Sequence, residues 1–254
     1  MKESIKRFLR TSHLPHAWCP GCGNGIILNV FAHVCEKLHL DQDRTVIVSG
    51  IGCSGRITQY LNFDTIHTLH GRAIPIATGI KLSRPELNLI VFMGDGDSVA
   101  IGGNHLIHAA RRNIDLTAII INNMNYGMTG GQSSPTTPEQ TKTKTSPYGS
   151  IEPTIDISQL AISAGATFVA KYTLYHVKEL EKGMIDAITH KGFSLIEVIS
   201  TCPVQWKMTP YHALKIQEKI KDRGILTKYN KPEFCEKIHH LSQLSQKQKT
   251  KNQI

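Results

Sequence analysis

The stretch HAWCPGCGNG, residues 16–25, sets Cys19 and Cys22 at C-x-x-C spacing inside a run of Pro and Gly that turns the chain sharply. Two thiolates so spaced can act as a redox dithiol, as half of a zinc site or as half of an iron–sulfur site. A second group of chemically able residues lies in LNLIVFMGDGDSVAIGGNHLIHAARRNIDLTAIIINNMNYGMTGGQ, residues 87–132. This run reads as strand, Gly-Asp-Gly-Asp turn, helix, strand, then Asn-Asn, so Asp95 and Asn123 both stand just past the carboxyl ends of strands. If those strands are parallel neighbours, roughly 5 Å apart, the two side-chain oxygens can converge on one hard cation. Gly94 and Gly96 let a diphosphate approach the backbone, and the amides opening the next helix supply donors for its charge. A magnesium ion bridging protein to diphosphate is the simplest chemistry for these residues. A nicotinamide-binding fingerprint would need Gly where Val99 stands and an acid where the next strand ends in Asn122 and Asn123. A bare tight turn would explain Gly-Asp-Gly but not the Asn pair at the matching place on the next strand.

The elements that must position these residues alternate along the chain. TVIVSG (45–50), LNLIVFMG (87–94), LTAIIIN (116–122), TFVAKY (167–172) and FSLIEVIS (193–200) are short, β-branched runs, several apolar on both faces, as strands inside a parallel sheet are. Residues 24–40, 98–113, 156–165 and 177–191 are each long enough for a covering helix. The fold class is α/β, a parallel sheet flanked by helices.

With 254 residues and 40% hydrophobic content the chain can bury a core as one large domain. No apolar run approaches the roughly eighteen residues of a membrane span, and MKESIKRFLRTSH lacks the apolar centre of a signal peptide, so a cytoplasmic location is expected. Six cysteines in such a chain argue for ligands or buried thiols rather than a disulfide framework. The formal charge of +9 is unevenly placed: from Lys207 onward eleven Lys or Arg face four Asp or Glu, a net of +7. That basic stretch lacks the interleaved aromatics of a nucleic-acid platform, so no nucleic acid is expected; a solvated face or a dock for an acidic protein fits it better. Its end, SQLSQKQKTKNQI, is polar and low in complexity and is expected to fray.

GDGD followed by NNMNYGMTGGQ resembles a thiamine diphosphate motif. Together with WCPGCG, GIGCSGR, HGRA and CPVQW, in that order from about Pro15 to Trp206, the chain is similar to the β subunits of 2-oxoacid:ferredoxin oxidoreductases, most of all those acting on 2-oxoglutarate. The resemblance implies a thiamine diphosphate-binding domain over residues 1–210, followed by a basic extension over 211–254. It makes Asp95, Asn123 and the Asn125 carbonyl the magnesium ligands, and sets Ile51, Gly52, Cys53, Ser54, His70, Gly71, Gly94, Gly96, Asp97, Gly127 and Met128 along the cofactor. Cys53 and Cys202 each follow a strand, at the sheet edge that carries Asp95, so with Cys19 and Cys22 they give four thiolates for one [4Fe–4S] cluster. Structural zinc would accept the same four ligands, although all-cysteine zinc sites usually come as two C-x-x-C pairs.

The implied reaction is oxidative decarboxylation of a 2-oxoacid to an acyl-coenzyme A, with electrons leaving singly through the cluster to ferredoxin or flavodoxin. The acid that activates the aminopyrimidine comes, in this family, from an α subunit, which is therefore an expected partner; γ and ferredoxin-like δ subunits are compatible additions. His70 and Arg72 are candidates for handling protons or positioning groups at the thiamine. Arg56 offers a cationic fork at the active edge for the distal carboxylate of 2-oxoglutarate, with Met128 as a neighbouring apolar wall. Pyruvate or another 2-oxoacid remains an alternative substrate, and a non-redox thiamine enzyme with structural zinc an alternative class. Cys35 falls in the apolar period of its helix, and Cys235 has no role assigned. His105 and His108, at i,i+3, read as helix packing.

Overall fold

The computed structural model describes the backbone of residues 3–251 and the side chains of residues 3–244. The five expected strands form: β1 (Thr45–Ser49), β3 (Asn88–Gly94), β4 (Leu116–Asn122), β5 (Phe168–Thr173) and β6 (Phe193–Ile199). Every residue of β4 and β6 is buried, which is why these runs show no polar alternation. Two further strands complete a seven-stranded sheet of order β2-β1-β3-β4-β6-β5-β7, parallel except at one edge. β2 (Asp64–His67) is too short and polar to announce itself in sequence. β7 (Gly224–Lys228) comes from the basic extension and pairs antiparallel with β5. The basic extension expected over 211–254 therefore supplies a strand of the same sheet. The final segment, expected to fray, continues as helix α8 (Phe234–Lys251), and residues 252–254 lie outside the described residues. Its Gln, Lys and Leu content favours helix, and Phe234 anchors the start against the core.

Helices α2 (Gly23–Lys37) and α6 (Val177–Thr189) cover one face of the sheet; α3 (Ala73–Ser83), α4 (Gly103–Arg112) and α5 (Ile157–Ser163) cover the other. Short helices α1 (Glu3–Lys6) and α7 (Pro210–Lys215) lie at the periphery. α3 escaped the sequence reading because AIPIATGIKLS carries Pro75, yet Pro75 falls in the first turn, where no intrahelical N–H bond is lost. Phe31 of α2 packs edge-to-face on Phe92 of β3, with ring centroids 5.2 Å apart. Truncating either ring to Ala would cost about 3–5 kcal/mol, and the contact fixes α2 along the sheet. Because α2 precedes β1 and returns over the sheet, its amino end lies at the edge where the parallel strands finish.

Chain direction opens a crevice at that edge. The chain leaves β1 toward β2 on one side, and leaves β3 toward β4 on the other, so the loops part between the carboxyl ends of β1 and β3. Ligands of open α/β sheets bind at such a switch point.

Candidate active site

The crevice is shaped by two glycine loops. Gly50, just past β1, stands so close to Asp97 that a Cβ there would lie 1.8 Å from Asp97 Oδ2, so only glycine fits. Asp97 Oδ1 accepts a 2.6 Å hydrogen bond from Gly71 N, which holds the HGRA loop against the turn after β3. His70 Nδ1 lies 2.9 Å from the same oxygen without hydrogen-bond alignment, and Asp97 Oδ2 has no donor. Burial pushes the Asp97 carboxyl up to about 6, against the opposing pull of the Gly71 N–H and the His70 ring. The helix expected from Ser98 begins instead as a π-helical turn, Gly96–Ile101, before α4. A Cβ on Gly96 would strike the Tyr126 ring, at 2.2 Å. The cavity between these loops measures about 170 Å³. Its wall includes Ile51, Gly52, Cys53, Ser54, His70, Gly94, Asp95, Gly96, Asp97, Asn123, Asn125, Gly127 and Met128. Gly71 lies behind Asp97 rather than on the wall.

Gly94 pairs with Ile121 across β3 and β4, so Asp95 and the Asn122-Asn123 pair emerge side by side, as the strand reading requires. Asp95 is 2% exposed, not solvent-facing. Its Oδ2 accepts from Ser134 Oγ and from Thr136 Oγ1 at 2.8 Å. Burial raises the Asp95 carboxyl above its ordinary range, and these two hydroxyls oppose the rise. Asn122 Oδ1 lies 3.0 Å from Thr136 Oγ1 and accepts from Met124 N, bending the loop through the left-handed conformation of Met124 at φ 61°. The Asn125 carbonyl accepts from Gly127 N at 3.1 Å, whereas Asn125 Oδ1 is buried with no partner. A carboxylate, an amide and an orphaned amide oxygen around one cavity form an all-oxygen donor set that fits magnesium.

The four expected cysteine ligands come together from three places at the same edge. Cys22 is the N-cap of α2, Cys53 opens the turn after β1, and Cys202 follows β6, whose end is bonded to β4 through Ser200 N and Asn122 O at 2.8 Å. All four are free thiols, and Cys19 is the exposed one. Burial drives the Cys22 thiol up to about 11, and the charges of Cys53, Cys202 and Cys19 each push it further, so the four stand within electrostatic reach of one another. Among the described residues no three His, Cys, Asp or Glu side chains close on a single metal-ion position. Four free cysteines at one sheet edge nevertheless fit, by number and chemistry, the ligand set of a four-iron cluster. Trp18 Nε1 donates to Cys53 O at 2.7 Å, and its ring packs tilted against Tyr60 with centroids 4.8 Å apart.

The loop after Cys202 is tied to the asparagine loop. Trp206 Nε1 donates to Asn123 O at 2.9 Å and Gln205 Nε2 to Gly127 O at 3.1 Å. Ser134 and Thr136 were not singled out from sequence, and Gln205 and Trp206 only as part of CPVQW. The hydroxyl-rich SSPTT following the asparagines was the available signal, since a buried carboxylate needs donors. Two expected residues lie off the cavity wall. Arg56 does not line the cavity; it stands near Cys53, where its charge opposes the burial and the neighbouring sulfurs that raise that thiol. Arg72 is drawn outward to His105 Nε2 at the start of α3, because the turn at Gly71 aims His70 inward and its neighbour away. Burial and then the Arg72 charge lower the His105 pKa. Cys35 is fully buried in the core, as expected, and Cys235 lies beside Lys81 at the far end of the sheet.

Residues 50–198 match the C-terminal thiamine pyrophosphate-binding domain of thiamine pyrophosphate enzymes. Over the full length of both proteins the chain is 52% identical to 2-oxoglutarate synthase subunit KorB of Archaeoglobus fulgidus. It is 48% identical to the 2-oxoacid:ferredoxin oxidoreductase subunit beta of Saccharolobus solfataricus, over 73% of this chain and 62% of that one. The chain belongs to the β subunits of 2-oxoacid:ferredoxin oxidoreductases. A solved member of the family agrees in fold: the 2-oxoglutarate:ferredoxin oxidoreductase of Magnetococcus marinus, solved with 2-oxoglutarate, coenzyme A and succinyl-CoA bound, superposes with a TM-score of 0.85 at 31% identity, covering 96% of this chain and 90% of that one. As a β subunit of this family the chain is part of a multi-subunit oxidoreductase. No helix among its described residues is long and apolar enough to cross a membrane.

Proposed function

We propose that this β subunit oxidises 2-oxoglutarate to succinyl-coenzyme A, holding thiamine diphosphate through Mg²⁺ on Asp95, Asn123 and Asn125, and one [4Fe–4S] cluster on Cys19, Cys22, Cys53 and Cys202. Bound thiamine diphosphate supplies a nucleophilic carbon and an electron sink for loss of carbon dioxide, and a bound cluster stores single electrons for ferredoxin or flavodoxin. The observation that carries the reading is the contact of the two loops: Gly127 lies on the cavity wall and against Cys202 Sγ at once. A redox site beside the cavity has a use in an oxidoreductase and none in a simple decarboxylase. Preference for 2-oxoglutarate over pyruvate rests on the activities named for the Archaeoglobus and Magnetococcus proteins.

The chain's own residues hold and orient. Asp95 receives Ser134 and Thr136 on one oxygen, which leaves the other for a metal. Gly96 meets the cavity with backbone only, because the Tyr126 ring occupies the place of a side chain. His70, kept at the cavity by its contact with Asp97, is placed to hold a proton there. A cavity of about 170 Å³ is below the roughly 300–1,000 Å³ of a complete small-molecule site. The missing wall is assigned to an α subunit. Ile51, Leu69, Ile101 and Met128, all exposed, are the apolar residues at or beside the mouth that it would cover, and Leu69 is 76% exposed.

The experiment is anaerobic purification with and without the α subunit. Four irons and four sulfides per β chain, bound thiamine diphosphate, and ferredoxin reduction by 2-oxoglutarate and coenzyme A only in the assembled protein are expected. Faster turnover of pyruvate would move the substrate, one zinc per chain with no iron would reject the redox reading, and full activity of the lone chain would remove the α subunit.

A further inference from the structure

We infer that Asn24 sets the reduction potential of the iron–sulfur cluster, by donating its side-chain N–H to the sulfur of Cys22. The inference rests on the reading that the four cysteines hold such a cluster. Asn24 Nδ2 lies 3.4 Å from Cys22 Sγ, and among the described residues it is the one side chain that hydrogen-bonds to any of the four sulfurs. Asn24 is 2% exposed, and its Oδ1 has no partner. A buried amide with one end orphaned gives the fold nothing that a leucine of similar size would not give better. Its retained use is the bond to sulfur. The orientation follows from the chemistry, because a ligating thiolate only accepts, so the amide nitrogen and not the oxygen must face it.

Cys22 is the N-cap of a fifteen-residue helix, so the positive end of α2 adds to the same effect. Reduction adds one electron to the cluster, breaks no bond and moves no proton; the added charge is shared by the ligand sulfurs. Donors to those sulfurs favour the reduced form and raise the potential. Asn24 is thus a positioning residue for electrons rather than a catalytic one, and the side chain through which the potential can be adjusted without disturbing a ligand.

The test is a redox titration of the anaerobically purified protein, followed by the electron paramagnetic resonance signal of the reduced cluster, in wild type, Asn24→Leu and Asn24→Ala. The expected result is unchanged iron content with midpoint potentials shifted to more negative values in both variants. An unshifted potential with the cluster intact would overturn the inference, as would loss of the cluster from both variants, which would make Asn24 a structural residue. Absence of a four-iron cluster from the wild type would instead reject the underlying reading, and iron and sulfide counts distinguish that failure from the other two.

Discussion

Gly127 lies against Cys202: a methyl group on Gly127 would stand 3.3 Å from the cysteine sulfur and 3.3 Å from Asn125 Oδ1. The asparagine loop and the cysteine loop therefore meet at a residue with no side chain, and the spacing between the cavity wall and the Cys202 sulfur is set there by backbone alone. Gly127→Ala has to displace one of these neighbours by a few tenths of an ångström. The expected outcome is a folded protein whose cluster is reduced by substrate roughly tenfold more slowly, read by stopped-flow bleaching in the assembled enzyme. A rate equal to wild type would mean that the loops have slack.

Thr136 is not on the cavity wall, but it donates to Asp95 and stands within bonding distance of Asn122. Thr136→Val keeps the shape and removes the hydroxyl. Magnesium-dependent binding of thiamine diphosphate, measured by calorimetry, is expected to weaken about 10–100-fold, the usual effect of losing a partner behind a metal ligand. Thermal stability should change far less than affinity does.

Arg56 separates two readings of one charge. It stands near Cys53 and not on the cavity wall, so Arg56→Ala is expected to alter kcat/KM for 2-oxoglutarate and for 2-oxobutyrate by the same factor. A loss for 2-oxoglutarate alone, about tenfold or more as for a charged hydrogen bond, would restore the carboxylate-binding role that the sequence suggests.

At the opposite end of the sheet, Asp115 is held by Lys81 at 2.8 Å, Lys191 at 2.9 Å and Gly192 N at 2.9 Å. Burial works to raise its carboxyl, but the Lys81 and Gly192 donors outweigh burial and keep it below the ordinary carboxylate value. A carboxyl lowered in the folded state stabilises the protein above its unfolded pKa of about 3.9, and that stability is lost as pH falls through the lowered folded value. Asp115→Asn should therefore cost about 3 kcal/mol at pH 7 by leaving Lys81 buried and unpaired. Urea denaturation at pH 7 and in strong acid checks this: the gap between variant and wild type should close in acid.

Leu69 projects beside the cavity mouth. Leu69→Glu is expected to weaken association with the α subunit at least about tenfold, by placing a charge in an apolar contact, while leaving the circular dichroism of the lone chain unaltered. Unchanged association by ultracentrifugation would place the interface elsewhere.

What sequence could say about this protein depended on where backbone alone decides. Asp95 and Asn123 follow strands whose apolar runs are unmistakable, and parallel pairing then leaves no choice about which edge they reach. Cys53 and Cys202 were legible for the same reason. Arg56 and Arg72 were not, because a long side chain in a turn has several rotamers and the neighbour that captures it, His105 for Arg72, lies 33 positions away. Ser134 and Thr136 return to Asp95 from a long loop without periodicity, and β7 is a half-exposed edge strand with no apolar alternation. Residues 242–251 are polar by composition, yet good helix formers continuing from a helix anchored at Phe234.

Two hydrogen bonds, from Trp206 to Asn123 and from Gln205 to Gly127, bind the loop after Cys202 to the loop that lines the cavity. They make the two loops one mechanical unit: a shift of the loop after Cys202 is carried to Asn123 and Gly127, and so to the wall of the cavity.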